Sequence, residues 1–514
     1  MAEEAGSING KGDSGRARIL TDTAKISATR VYSIVLAIMQ GFIVAKVLGP
    51  EMYGILSLIL LVAFYAGLVG PGLLDVANRE LPFLAGRDDV RGAERVRSIG
   101  FSADLLWRAF LVLCVLVAAF FQTNEVLKYG LIITAFTLFA ARINELYSLV
   151  CQVKKDFHLL SKATFLTSTL SSGLIIGTVY WGKIFSPLLI SLFVSTAIIF
   201  YYQRHIRLDM TFSLDGKELK RMIRIGIPLQ LLTVVVWIYR SSDRTMVAGF
   251  LDPTSLGYYA LAVNIVQYLQ LPPNDFVLVL RPRLYELLGK YEDVAVIRPY
   301  IVKPTLVIAY LIPFVIGLIW LCTPLIISSI LPKYIGSINV LKVLVLDVYF
   351  ATVLLMPHIL LYSPAVNKQI HCVYVWGAAA AVTFVLSYVF LSVGWGIDGV
   401  AVAMVVGQAF AAVFIFAMAH RYYLKAVRGP AWYYLKLLFP LLYAGALVSL
   451  INYISGYDPL SIATVSIQTT VFTIFFLPLL FYLLVETKTL SWVFDWTEVK
   501  IKKVLAVVGG GSAG

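Results

Sequence analysis

Runs of apolar residues, each long enough to cross a bilayer, recur along this chain and constrain its fold more than any other feature. A helix needs about 20 mostly apolar residues to span the hydrocarbon core. Hydrophobic residues make up 60% of the 514 residues, and charged residues only 14%. Because backbone polar groups in lipid must be satisfied internally, we predict an all-α integral membrane protein with about 14 transmembrane helices. These predicted spans are 27–48, 53–78, 99–121, 127–150, 162–181, 186–203, 225–249, 257–279, 304–327, 340–362, 372–392, 398–419, 434–454 and 463–485.

Lysine and arginine are unevenly distributed between the predicted connections. Most of the 42 basic residues fall in alternate connections. The positive-inside rule assigns such connections to the cytoplasm. We therefore predict a multi-pass protein of the cell (inner) membrane with cytoplasmic N- and C-termini. This topology accounts for the formal net charge of +13, so no nucleic-acid partner is expected.

Two short motifs repeat at one offset. Leu-Gly-Pro-Glu-Met-Tyr-Gly ends at Gly54 after the first span, and Leu-Asp-Pro-Thr-Ser-Leu-Gly ends at Gly257 after the seventh, so that Pro50 matches Pro253. A fixed-offset match predicts two related halves. We expect a cytoplasmic tail over 1–24, an N-terminal lobe of six helices over 25–208 and a C-terminal lobe of six over 209–421. A helix pair over 422–490 and a cytoplasmic tail over 491–514, with a glycine-rich end typical of a linker, complete the chain.

A charged stretch lies inside the apolar run from about residue 225 to 250. It contains Arg240, Asp243 and Arg244. Charges at membrane depth are expensive and usually face a bundle interior or a watery cavity. Asp243 lies one turn from Arg240 and neutralises only one arginine. The remaining guanidinium suits a phosphate or diphosphate, which it can hold through two parallel hydrogen bonds; a closed structural ion-pair network is the alternative.

Polar side chains also follow the leading helices of both halves at helical spacing, which places them on one face of each helix. The candidate binding residues are Arg30, Gln40, Trp237, Arg240, Arg244, Asn264, Gln267 and Asn274. We expect them to line one shared polar cavity; interhelical hydrogen bonds in a solid bundle are the alternative. Asp243 and Asp75 are the candidate carboxylates for coupling to H+ or Na+. The pairs Asp104–Arg108 and Arg142–Glu145 are predicted to be structural, because each pair can satisfy itself.

Enzymatic motifs are missing from the sequence. The chain has no GxxxxGK[ST] phosphate-binding loop, and its four cysteines show no metal-ligand spacing. We therefore predict no catalytic residue, no metal and no cofactor, and we do not predict an enzyme. A membrane glycan polymerase or ligase usually needs a long outer loop, and the predicted outer loops are short.

Three motifs in combination carry a family resemblance: Val44–Gly54, Asp243–Ala260 and Gly394–Ala403. Over roughly residues 20–485 the chain resembles the Wzx-type polysaccharide flippases of the multidrug/oligosaccharidyl-lipid/polysaccharide exporter superfamily. The resemblance implies two six-helix lobes around a central cavity, alternating access and a polyprenyl-diphosphate-linked oligosaccharide as cargo. It implies diphosphate contacts for Arg30 and for Arg240 or Arg244, and contact with membrane lipids and with glycan polymerase or transferase partners. A cation-coupled drug or metabolite antiporter is the alternative within the superfamily.

Overall fold

The computed structural model describes residues 2–86, 89–154, 156–208, 211–213, 215–291, 294–363, 366–423, 430–455 and 461–486. In these ranges the regular structure consists of fifteen α-helices and a short 3-10 helix at Pro332–Tyr334. The α-helices are α1 (Ala2–Leu68), α2 (Leu73–Gly86), α3 (Val90–Phe120), α4 (Glu125–Val153), α5 (Phe157–Gly182), α6 (Phe185–His205), α7 (Gly216–Phe250), α8 (Pro253–Tyr291), α9 (Val294–Ile330), α10 (Ser337–Val353), α11 (Leu355–Tyr362), α12 (Gln369–Ser392), α13 (Gly396–Tyr423), α14 (Pro430–Ile454) and α15 (Ile462–Glu486).

The helices form two compact units, Met1–Leu261 and Ala262–Gly514. The first unit contains α1 to α7 and the start of α8. The second contains the rest of α8 and all later helices. The lobe boundaries proposed from the sequence, 25–208 and 209–421, remain predictions.

Many of these helices are long and apolar enough to cross a membrane. Among the described residues there are eleven, or up to twelve if the bent pair Gly216–Pro228 and Thr233–Phe250 is one span. The chain is thus an all-α, multi-pass membrane protein, but fourteen spans are not confirmed. The predicted span 257–279 lies in α8, where Asn264, Gln267 and Gln270 lower the mean hydropathy. The predicted span 53–78 is broken, because α1 ends at Leu68 and α2 is only 14 residues long.

Both repeated motifs begin a helix with proline. α1 is interrupted at Gly49, whose φ of 72° lies in the left-handed region, and Pro50 follows inside the assigned helix. Pro253 likewise opens α8. Proline suits the first turn of a helix, because its fixed φ is helical and its missing N–H has no partner there anyway. At Pro253 the Asp252 carboxylate also accepts hydrogen bonds from the Thr254 N–H at 3.2 Å and from the Ser255 hydroxyl.

The two repeated motifs pack against each other through matching positions. A Cβ on Gly54 would overlap the carbonyl oxygen of Pro253, and a Cβ on Gly257 would overlap that of Pro50. Only glycine lets two backbones approach so closely, as at other helix contacts in membranes. The contact is reciprocal, as between surfaces related by a two-fold axis.

Each unit has its own packed interior. In the first unit, buried side chains of α2 to α7 such as Val76, Phe101 and Leu146 form one cluster. In the second, Phe472 and Phe476 of α15 pack against α9 and α14. Lipid is as apolar as these side chains, so close packing rather than exclusion of water holds such contacts. Gly317 shows how close this packing is, because a Cβ at this position would overlap the Phe472 ring.

Candidate functional site

The junction between α1 and α2, at residues 69–72, has carbonyl groups that hydrogen-bond to side chains. Arg108 on α3 donates from Nη1 to the Ala66 carbonyl at 3.0 Å and from Nη2 to the Gly67 carbonyl at 3.3 Å. Its side chain is buried, with 5% exposed. The last carbonyls of a helix lack intrahelical partners and carry partial negative charge. The buried guanidinium therefore supplies hydrogen-bond donors and a positive charge to the carbonyls at the end of α1.

The next two carbonyls are satisfied from two other positions. Gln230 Nε2 on α7 donates to the Leu68 carbonyl at 2.6 Å, and Trp107 Nε1 on α3 donates to the Val69 carbonyl at 3.0 Å. Non-helical backbone at membrane depth is tolerated only where such partners exist. The break is therefore supported by α3 and α7.

Helix α7 also contacts this junction through its backbone. Gly72 has a φ of 70°, and a Cβ on it would overlap the carbonyl oxygen of Gly226. A Cβ on Gly226 would overlap the carbonyl of Pro71. Two residues after Gly226, Pro228 lies within α7, and the helix bends between Pro228 and Thr233. Residues 71–72 of the junction are thus in direct backbone contact with α7 just before its bend.

The charged stretch lies further along α7, and its carboxylate pairs with Arg244. Asp243 is buried, with 3% exposed. Its Oδ1 accepts the Arg244 backbone N–H at 2.6 Å and lies 3.9 Å from Arg244 Nε. Its Oδ2 accepts the Tyr259 hydroxyl at 3.1 Å. The pairing of Asp243 with Arg240 that the one-turn spacing allows is therefore not formed.

Arg240 differs from Arg244 in its partners. Its side chain is exposed, and among the described residues no carboxylate lies within ion-pair distance of its guanidinium. Its Cζ lies 5.5 Å from the centre of the Trp237 ring, a cation–π contact. Trp237 is 39% exposed and meets Phe64 of α1 edge-to-face at 5.4 Å. An accessible guanidinium therefore lies beside an accessible aromatic ring.

Tyr65 joins α1 to the same stretch of α7. Its hydroxyl lies 2.7 Å from Ser241 Oγ and 2.6 Å from Thr245 Oγ1. Those two hydroxyls donate to the carbonyls of Trp237 and Ser241 within α7. Since the Tyr65 hydroxyl has a single proton, it can donate to only one of these two oxygens. Phe64 and Tyr65 together hold the end of α1 against the arginine stretch.

A second charged cluster lies on α3 and α4. Asp104 is buried and accepts two hydrogen bonds from Arg142, whose Nη1 also bonds Glu145. The predicted Arg142–Glu145 pair is thus confirmed. The predicted mutual satisfaction of Asp104 and Arg108 is wrong, because Asp104 bonds Arg142 and Arg108 bonds the end of α1. Asp75 is exposed on α2 and is close enough to Arg142 and Asp104 to interact with their charges.

The remaining candidate residues are on other helices, and the side chain of one of them is outside the described residues. Gln40 accepts a hydrogen bond from Ser172 at 2.9 Å, a bond between α1 and α5. Gln267 is exposed on α8, Asn264 is half-buried on the same helix, and Asn274 donates to the Gln270 carbonyl at 2.7 Å; all three belong to the second unit. The Arg30 side chain lies outside the described residues.

The break between α1 and α2, which the predicted span 53–78 missed, has a signal in the sequence. Gly67-Leu-Val-Gly-Pro-Gly72 lies in the middle of the predicted span 53–78. Three glycines and a proline in six residues predict an interrupted helix. Such an interruption in a membrane requires polar partners on neighbouring helices, which Trp107, Arg108 and Gln230 supply.

Comparisons with known proteins agree with this fold. Residues 95–279 match the model of a family described as "Polysaccharide biosynthesis protein". A structure titled "Lipid II flippase MurJ, inward closed conformation" superposes with a TM-score of 0.64 at 17% identity, covering 88% of this chain and 99% of that one.

Two structures of a multidrug resistance MATE family transporter of the MOP superfamily are also similar. The inward-facing one gives a TM-score of 0.60 at 17% identity, covering 76% of this chain and 94% of that one. The outward-facing one gives 0.55 at 16%, covering 80% and 96%. No curated protein sequence matches the chain. The chain therefore has the MOP exporter fold with a polysaccharide biosynthesis match, and the resemblance stated from its motifs is confirmed.

Proposed function

We propose that this chain is a flippase that moves a polyprenyl-diphosphate-linked oligosaccharide across the cytoplasmic membrane by alternating access, for assembly of surface polysaccharide or glycoconjugate. The fold and the polysaccharide biosynthesis match support a flippase-type transporter. The observation that carries the substrate class is Arg240, an exposed guanidinium beside an exposed Trp237 ring and without a carboxylate among its described neighbours. N- and C-termini lie in the cytoplasm in this proposal.

Arg240 binds the diphosphate in this mechanism. A guanidinium holds phosphate oxygens through two parallel N–H bonds, and Arg244 and Arg30 are further candidates. The Trp237 ring offers a flat apolar face for a sugar ring. Gln40, Asn264, Gln267 and Asn274 remain candidate sugar contacts. The prenyl tail stays in lipid while the headgroup crosses, because lipid solvates the tail and not the charged headgroup.

Asp243 is the first candidate for coupling to H+ or Na+. It is buried and holds Arg244 through one 3.9 Å contact and a backbone hydrogen bond. Protonation of Asp243 removes the attraction for Arg244 and frees a second guanidinium for the cargo. Asp75, exposed on α2, is the other candidate. If Asp243 carries the proton, Asp243→Asn flattens the pH dependence of transport; if it only positions Arg244, transport falls at every pH by the same factor.

The charge of the stretch separates this proposal from its rivals. Two arginines and one aspartate leave one positive charge when all are ionised, which favours an anionic diphosphate over a cationic drug. The likeness to multidrug transporters supports only the shared fold. The MOP exporter fold is typically non-enzymatic, which disfavours the polymerase or ligase. Glycan polymerases or transferases are proposed as partners that consume the translocated lipid-linked product.

Glycan export measured in cells tests this function. In a strain that depends on this gene for its surface glycan, Arg240→Ala should abolish export and accumulate the lipid-linked oligosaccharide. Arg240→Lys should restore export only in part, because it keeps the charge and loses the two-pronged geometry. The amount of folded protein in the membrane should be unchanged.

Arg204→Ala is the matched control. Arg204 is an exposed arginine in the last turn of α6, away from the stretch, and its removal should leave export intact. Normal export by the Arg240→Ala/Arg244→Ala double variant contradicts the diphosphate site and assigns these residues to a structural network.

A further inference from the structure

An apolar groove lies in the second unit among α10, α13 and α14. Its volume is about 400 Å³, within the range of about 300–1,000 Å³ that binding pockets occupy. Tyr349, Ala412 and Leu437 are buried at its floor. Val413 on α13 and Leu438 on α14 are exposed at its two edges. The groove is therefore open on the outer side of these helices.

The sequence gives this groove its shape. Ala409, Ala412 and Ala417 on α13 line the groove and leave space that larger side chains would fill. Pro440 lies within α14 and interrupts its hydrogen-bond ladder. The Tyr349 hydroxyl of α10 donates to the Leu437 carbonyl, in the turn before this proline. Because α10 fixes α14 at this point, the groove is a built feature of the unit.

One end of the groove is polar. Val413, Ala417 and Arg421 follow one another at spacings of four, along one line of α13. Arg421 is exposed in the last turn of that helix. Beside it, His420 Nδ1 lies 3.1 Å from the Tyr434 hydroxyl, and Tyr434 lines the groove. The apolar groove thus ends at the Arg421 guanidinium and at the hydrogen-bonded pair of Tyr434 and His420.

We propose that this groove binds an acyl chain of an anionic membrane phospholipid, with the headgroup phosphate at Arg421. An apolar cleft open to the bilayer is filled by the lipid chains around it, since no water is present there. Arg421 at its end supplies the charge complement of a phosphate. The groove belongs to the second unit and the arginine stretch to the first, and the proposal does not rest on the proposed transport function.

Photolabelling of the purified full-length chain tests the site. The probe is phosphatidylglycerol with a diazirine in one acyl chain, and phosphatidylcholine with the same chain is its neutral counterpart. Mass spectrometry should place the label on peptides covering 409–417 or 434–438. Phosphatidylglycerol should label about fivefold more, the contribution of one basic residue near a membrane surface. Arg421→Gln should remove this preference while labelling by both lipids continues.

Ala417→Phe should reduce the label severalfold by filling the edge of the groove. Ala417 is exposed, so the unfolding temperature should not change. Ala381→Phe, at an exposed position of α12, is the matched control and should label like the unchanged chain. Equal labelling of Ala417→Phe and the unchanged chain overturns the proposal, as does equal labelling by the two lipids. Complete displacement of the label by equimolar polyprenyl phosphate overturns it too, and assigns the groove to a prenyl tail.

Discussion

Two arginines at membrane depth share one sequence pattern, but among the described residues only one of them forms ion pairs with carboxylates. Arg142 and Arg240 each have a carboxylate three residues later, Glu145 and Asp243. Arg142 bonds Glu145 on its own helix and Asp104 on α3. Arg240 bonds neither Asp243 nor any other described carboxylate, and contacts Trp237 instead. Spacing alone therefore does not separate a structural arginine from one that can bind a ligand.

Competition for the carboxylate explains the difference. Glu145 is long and half-exposed, so it reaches back one turn to Arg142. Asp243 is short, and its two oxygens are occupied by the Arg244 backbone N–H and the Tyr259 hydroxyl. A side chain bonded in this way is not free to turn toward Arg240. The neighbour on the next helix, rather than the local spacing, decides which guanidinium stays accessible.

Removal of the buried carboxylate that holds Arg142 should have the largest effect. Asp104→Asn leaves a guanidinium that is 16% exposed without its main counter-charge. Breaking a buried pair in this way costs about 3–5 kcal/mol, so the free energy of unfolding should fall by that amount. Thermal unfolding of purified protein measures it. A loss below about 1 kcal/mol would mean that Arg142 is as loosely held as Arg240.

Asp243→Asn should cost less. The amide has a single oxygen, which can accept either the Tyr259 hydroxyl or the Arg244 backbone N–H, so the variant loses one of these hydrogen bonds together with the 3.9 Å attraction to Arg244. We expect about 1 kcal/mol, typical of one hydrogen bond with partial charge assistance. Tyr259→Phe is the control, because it removes the other partner of Asp243 and keeps the charge. A loss as large as that of Asp104→Asn would show that both carboxylates are structural.

Arg240→Ala should lower the free energy of unfolding by no more than about 0.5 kcal/mol, as for an exposed residue without a paired charge. The substitution removes the cation–π interaction with the Trp237 ring, and such interactions stabilise a fold only weakly at exposed positions. Arg142→Ala, measured alongside by the same thermal unfolding, should be strongly destabilising because it leaves Asp104 buried and unpaired. Equal destabilisation of the two variants would remove the distinction between the two arginines.

Loss of a hydrogen bond to the exposed carboxylate of Asp252 should have the smallest effect on the free energy of unfolding. It serves as a reference for the two arginine sites. The Ser255 hydroxyl bonds Asp252 and lowers the pKa of that carboxyl group. A lowered pKa stabilises the fold above the unfolded value of about 3.9 and is lost as pH falls through the folded pKa. Ser255→Ala should therefore cost a few tenths of a kcal/mol at pH 7, since solvent screens this exposed site. The difference should shrink as the pH falls through the lowered pKa of Asp252 in the folded state, as urea unfolding at pH 7 and at successively lower pH would show.

Much of the fold can be predicted from the sequence, because apolar runs and basic connections act locally. The membrane class, the broken backbone at Gly49–Pro50 and the repeat around Pro253 all rest on neighbouring residues. The support of the junction at residues 69–72 cannot be predicted in this way. Trp107 and Gln230 are 38 and 162 residues away in sequence from the carbonyls that they bond, and only packing places them there. For the same reason, the sequence identified Arg240 and Arg244 but not which of them Asp243 pairs with.

The reciprocal contact of Gly54 and Gly257 also bears on how such a chain arises. In a symmetric dimer, residue i of one copy meets residue j of the other, and j meets i. Here one polypeptide makes this exchange between Gly54 and Pro253 and between Gly257 and Pro50. If the chain consists of two related halves, as the motif repeat predicts, the same contact would join two copies of one half, and duplication and fusion of one gene would require no new interface. After fusion, neither glycine can diverge alone, because a side chain at either position separates both motifs.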